Sequence, residues 1–129
     1  MSKDITRTFS IVGRIASMKC AGNGIFLTLR SQHNAWIHAT ATMIVVATGL
    51  YLGITLEQWC LIVLACAAVW TAEAMNTAFE FLADATTKEF HPVIAQAKDM
   101  AAGAVLITAF GSAIIGILVF GPYFLRLIH

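Results

Sequence analysis

Along this chain, stretches that carry charge alternate with long stretches that carry none. From Ser31 to Leu56 no residue is formally charged, and Trp36 to Gly53 is apolar enough to cross a hydrocarbon core that needs about 20 helical residues. A second apolar run starts near Gln58 and passes through Trp59 to Phe81, interrupted by Glu73 and Glu80. The third, Met100 to Leu125, lies between Asp99 and Arg126. This pattern predicts three transmembrane helices, over about 34–54, 57–85 and 98–126. The N-terminal segment has a different period. On a helical wheel Ile5, Phe9, Val12 and Ala16 share a face with Ile11, Ile15 and Met18, while Lys3, Arg7, Ser10, Arg14 and Ser17 gather opposite. Such a segment predicts an amphipathic helix over about 4–21, lying on the membrane surface, with Gly22 and Gly24 breaking it before the chain turns into the bilayer.

Composition agrees with lipid as a solvent. Of 129 residues 59% are hydrophobic and only 12% charged, with mean hydropathy +0.80, and a single short domain cannot bury so much apolar surface within itself. An ordinary soluble enzyme is excluded. A net charge of +1 speaks against a nucleic-acid partner. Three cysteines, Cys20, Cys60 and Cys66, with no C-x-x-C pair form neither a disulfide framework nor a zinc site. Met1 to Arg30 carries charge throughout and lacks the compact apolar core of a cleavable signal. Lys3, Arg7, Arg14, Lys19 and Arg30 precede the first span, and Lys88 and Lys98 lie between the second and third. The other side holds only Arg126, so the positive-inside rule predicts a cytoplasmic N-terminus and an outer C-terminus.

The informative residues are acids within the second span. Ionised groups at membrane depth cost several kcal/mol, so they face protein and serve function. At about 100° per residue Glu80 falls roughly 20° to one side of Glu73 and Asp84 about 20° to the other, with Asn76 and Thr77 flanking that line. The stripe is about 16 Å long and leads from within the bilayer to the cytoplasmic surface, where Glu89, His91, Lys98 and Asp99 follow. Three uses fit it. It could bond across helices and specify oligomer register, or form a non-enzymatic oligomeric proton or cation pathway. It could also serve metal-assisted phosphoryl chemistry at the membrane surface. The spread in depth favours the last: Glu73, deep among Ala72, Ala74 and Met75, suits a general base for a lipid hydroxyl, while Glu80 and Asp84 stay ionised for Mg²⁺. Three helices alone cannot enclose so polar a stripe, which implies an oligomer. His33 and His38 are five apart, off a common helical face and without a third ligand, so they do not read as a metal pair.

The block Glu73-Ala-Met-Asn76-Thr-Ala-Phe-Glu80, then Asp84, His91-Pro92 and Lys98-Asp99-Met-Ala-Ala-Gly-Ala-Val105, resembles the signature of the bacterial integral-membrane diacylglycerol kinase and undecaprenol kinase family. The resemblance covers about Ile11 to Phe120 and involves no phosphate loop of the soluble kinase type. It implies an all-α, multi-pass protein of the bacterial inner membrane, assembled as a homotrimer with active sites shared between subunits. It also implies ATP as co-substrate, Mg²⁺ as cofactor and a lipid alcohol as acceptor. Glu73 matches the catalytic base, with Asn76 on the same face. Glu80 matches a metal ligand, and Glu89, His91, Lys98 and Asp99 match nucleotide-contacting positions, with Asp84 beside them. Where the family places a second metal-binding glutamate, this chain has Gln32. Trp36 stands where relatives often have Arg, and Cys20 where they often have Tyr. Asn23-Gly24, the Asn34-to-His38 segment and Ala101-Ala-Gly-Ala104 look more like the undecaprenol branch, with diacylglycerol the alternative acceptor.

Overall fold

The computed structural model describes residues 10–31 and 33–128, and these residues form four α-helices and no strand. They are α1 (Ile11–Ser31), α2 (His33–Leu52), α3 (Leu56–Thr86) and α4 (Pro92–Ile128). Helices α2, α3 and α4 are each long and apolar enough to cross a membrane. The protein is all-α, as the hydropathy pattern requires.

Two of the boundaries differ from the sequence reading. Helix α1 runs without interruption through Gly22 and Gly24 to Ser31. A glycine inside a helix costs about 1 kcal/mol relative to alanine but does not compel a break. Neither glycine is a point of close packing, since a Cβ at either would meet nothing within 4 Å. The part of the expected surface helix before residue 10 lies outside the described residues. Helix α4 begins at Pro92 rather than near 98. Proline is favoured at the first helical position because its missing N–H has no partner there anyway, and the Ala95 N–H already bonds the His91 carbonyl at 3.0 Å. Lys98 and Asp99 mark where the apolar span starts, not where the helix does.

The α2–α3 connection shows how local chemistry sets the hairpin. Gly53 takes φ +63°, a left-handed conformation that ends α2, and the Ile54 N–H returns to the Gly49 carbonyl at 3.3 Å. Thr55 then caps α3: its hydroxyl accepts from the Gln58 N–H at 3.3 Å while Gln58 Oε1 accepts from the Thr55 N–H at 2.9 Å. The same Gln58 oxygen accepts the Tyr123 hydroxyl at 2.7 Å, which ties the far end of α4 to this turn. Around it lies the apolar core of Ile54, Ile62, Val119 and Phe120.

Helices α3 and α4 form the main pair. Ser112 Oγ donates to the Ala65 carbonyl at 3.1 Å between them. Trp70 Nε1 donates to Thr42 Oγ1 at 3.1 Å and joins α3 to α2. At 1.5 Å per residue α2 is about 30 Å long, α3 about 46 Å and α4 about 55 Å, against a hydrocarbon core of about 30 Å. With α2 spanning, and α3 and α4 held level at the Gln58–Tyr123 bond, the surplus of α3 and α4 projects at the end that bears the α3–α4 loop. Large apolar side chains such as Ile44, Leu64, Ile107 and Leu118 face outward, as lipid-facing surfaces do.

Candidate functional site

The polar stripe of α3 is buried only in its deeper part. Glu73 is 0% exposed and Asn76 and Thr77 are buried, whereas Glu80 is half-buried and Asp84 exposed. Counted from the Gln58 level, Glu73 lies about 22 Å along α3, Glu80 about 33 Å and Asp84 about 39 Å. The first is therefore within the hydrocarbon core and the others are at or beyond its edge. The gradient the sequence predicts is present along one helix face.

Around Glu73 the structure leaves hydrogen-bonding capacity unused. Among the described residues neither carboxylate oxygen of Glu73 has a hydrogen-bond partner, and Asn76 Oδ1 has none either. Such groups cost about 1–3 kcal/mol each when buried, and native proteins keep them mainly where something else is to bind. The Thr77 hydroxyl donates to the backbone carbonyl of Glu73 at 2.9 Å. His38 Nε2, on α2, stands 3.8 Å from Glu73 Oε2. Glu73, Asn76 and His38 line a cavity of about 260 Å³, closed on the α4 side by Ala102, Val105, Leu106 and Ala109. These small and aliphatic side chains keep the surroundings of the carboxylate apolar.

Glu80 lies one to two turns beyond this cavity. Asn76 Nδ2 donates to Glu80 Oε1 at 3.4 Å, so Asn76 in the cavity and Glu80 beyond it are linked along α3. Carboxylate oxygens are the donors that Mg²⁺ takes, and one or two suffice where phosphates and water complete the shell. Among the described residues no three of His, Cys, Asp and Glu gather as a ready-made metal cage. Glu80 therefore suits a metal shared with phosphate rather than one held by the chain alone. Gln32, the other residue read as a metal ligand, lies outside the described residues.

A second cavity, of about 330 Å³, is formed where α3 passes into α4. Asp84, Glu89, His91 and Lys98 all line it, with Thr87, Lys88 and Phe90. Lys98 Nζ lies 3.5 Å from Asp84 Oδ1, an ion pair that ties the two helix ends together across the loop. The Thr87 hydroxyl accepts from the Glu89 N–H at 3.0 Å and turns the chain toward Pro92. Four of the positions that the sequence marks for nucleotide contact thus share one surface. Asp99 does not join them: it is exposed and lines neither cavity. Because α4 starts at Pro92, its unbonded amides lie beside His91, one to two turns before Lys98.

Residues 19–120 match the family described as prokaryotic diacylglycerol kinase. The chain belongs to that family. It is a multi-pass membrane lipid kinase, a phosphotransferase with an alcohol acceptor. It is 39% identical to the undecaprenol kinase of Bacillus subtilis over 102 residues, covering 79% of this chain and 83% of the relative. Against the diacylglycerol kinase of Helicobacter pylori it is 30% identical over 126 residues, covering 92% and 95%. A diacylglycerol kinase of Synechocystis is also 30% identical, over 79% of this chain and 59% of the relative. Family membership favours phosphoryl chemistry over the proton or cation pathway.

From the sequence His33 and His38 read only as a pair too poorly placed to hold a metal, and nothing there sets His38 opposite Glu73. Its spacing from the acids crosses two helices and a turn, which no periodicity within one helix reports. Trp70 donates its N–H to Thr42 and is half-buried.

Proposed function

We propose that this kinase of the bacterial inner membrane transfers the γ-phosphoryl group of ATP to the terminal hydroxyl of undecaprenol. The reading rests on Glu73, a fully buried carboxylate whose two oxygens have no hydrogen-bond partner among the described residues. Undecaprenol is preferred over diacylglycerol because the 39% identical relative bears the name undecaprenol kinase, while the diacylglycerol kinases match at 30%. The chain works as a homotrimer that completes each site between subunits. Its N-terminus is cytoplasmic and its first helix lies along the membrane surface.

The lipid hydroxyl reaches the Glu73 cavity from within the bilayer. Glu73 accepts the hydroxyl proton as the oxygen bonds to the γ-phosphorus, the bond from that phosphorus to the β–γ bridging oxygen breaks, and ADP leaves. Asn76 orients the reacting groups from the next turn of α3. The nucleotide enters from water through the loop cavity, where Lys98 neutralises phosphate charge and Asp84 holds Lys98 in place. Glu89 and His91, which line that cavity, contact the nucleotide. Glu80 and Gln32 would hold Mg²⁺, whose chemistry there is to neutralise phosphate charge. The depth difference between Glu73 and Asp84 lets one helix present a lipid alcohol and a water-soluble nucleotide to each other, and positioning supplies much of the rate.

The test is phosphorylation with γ-labelled ATP in detergent micelles holding both undecaprenol and diacylglycerol. The label is expected chiefly on undecaprenol. Glu73→Gln is expected to lower turnover by about 100-fold or more, as loss of a general base does. Full activity in that variant would remove Glu73 from the role of base, and label chiefly on diacylglycerol would reverse the acceptor assignment.

A further inference from the structure

We propose that His38 is a positioning residue for phosphoryl transfer, holding the Glu73 carboxylate in the orientation that receives the lipid proton. The inference rests on the reading of Glu73 as the base. A glutamate side chain ends in a soft torsion, and a carboxylate that makes no hydrogen bonds has nothing to fix the direction of its lone pairs. His38 Nε2 is 3.8 Å from Glu73 Oε2 and comes from another helix, so its position is independent of the α3 backbone. With a proton on Nε2, the imidazole donates to Oε2 and leaves Oε1 free for the substrate hydroxyl. The separation exceeds hydrogen-bond length by less than 1 Å, and such contacts tighten when substrate fills the site.

A second observation shows that this approach is built into the packing. One helical turn from His38, Thr42 Oγ1 donates to the His38 carbonyl at 2.7 Å and accepts from Trp70 Nε1 at 3.1 Å. Trp70 lies one turn from Glu73 on α3. The Trp70–Thr42 bond therefore fixes the register of α2 against α3 beside the pair, and the imidazole is set opposite the carboxylate. His38 is also half-buried at a junction. It lines both the Glu73 cavity and an apolar groove of about 560 Å³ that runs between α2, α3 and α4 toward Phe124. One side of the ring meets the carboxylate while the rest borders space, an arrangement unlike that of a packed core histidine.

The experiment compares His38→Ala, His38→Gln and Thr42→Val in the full-length protein, with kcat and the KM for ATP measured separately in micelles containing undecaprenol. His38→Ala is expected to lower kcat by about 10- to 100-fold, as loss of a group that orients a reactive one does, with the KM for ATP unchanged. His38→Gln, which keeps an N–H donor, is expected to recover most of that loss. Thr42→Val is expected to give the same signature in weaker form, and it carries the test if His38→Ala does not assemble. In a Glu73→Gln background His38→Ala is expected to cost nothing further, since the group it orients is gone. Unchanged kcat in His38→Ala, no better activity in His38→Gln than in His38→Ala, or an additive loss in the double variant would overturn the assignment. An inactive Glu73→Gln beside a fully active His38→Ala sinks only the role of His38. Wild-type turnover in Glu73→Gln sinks the base and its positioning residue together.

Discussion

Charge on single side chains decides what this site can hold. In the proposed site Glu80 would give Mg²⁺ one carboxylate, and Gln32 would offer a carbonyl oxygen without charge. The expected outcome of Gln32→Glu is a fall of about tenfold in the Mg²⁺ concentration that half-saturates turnover, the lower end of what changes around a ligand set do to metal affinity. A Mg²⁺ titration of both proteins measures it, and identical curves would show that position 32 does not touch the metal. Glu73, Glu80 and Asp84 were legible in the sequence because an acid in an apolar run has few reasons to be there and because one helix sets their spacing. His38 was not. Its relation to Glu73 depends on how α2 lies on α3, and that is fixed by one hydroxyl and one indole N–H distant in sequence.

At the scale of elements, three long apolar helices were readable from hydropathy, since exclusion of charge acts on every residue of a span. The ends of helices outside the bilayer were not. Lys98 and Asp99 mark an interface between water and lipid, and a helix crosses such an interface freely, so α4 extends back to Pro92. Likewise Gly22 and Gly24 lower helix propensity without a turn residue or proline to complete a break. The α2–α3 hairpin is more constrained. A Cβ at Gly49 would lie 2.8 Å from Trp59 Cη2 and 3.2 Å from Ile54 Cδ1, beside the apolar core of Ile54, Ile62, Val119 and Phe120. Gly49→Ala is expected to destabilise the protein by about 1–3 kcal/mol, the usual range for overpacking. Thermal unfolding in micelles reads this directly, and an unchanged midpoint would mean that Trp59 moves aside without loss.

For the whole molecule, the asymmetry of Lys and Arg supports the proposed orientation, and labelling can check it. In a variant without the native cysteines, Glu57→Cys is expected to react with a membrane-impermeant thiol reagent on intact spheroplasts. Lys88→Cys should react only after the membrane is opened, and the reverse pattern would invert the topology.

The unequal helix lengths have a further consequence. Pinned at the Gln58–Tyr123 level, α3 and α4 raise the loop pocket to a fixed height, while the thickness of the surrounding bilayer is set by its acyl chains. In vesicles of progressively longer-chain phosphatidylcholines, turnover is expected to decline as the rising headgroup layer submerges Asp84 and Lys98, with the KM for ATP climbing before kcat falls. The protein would then be most active in thin membranes.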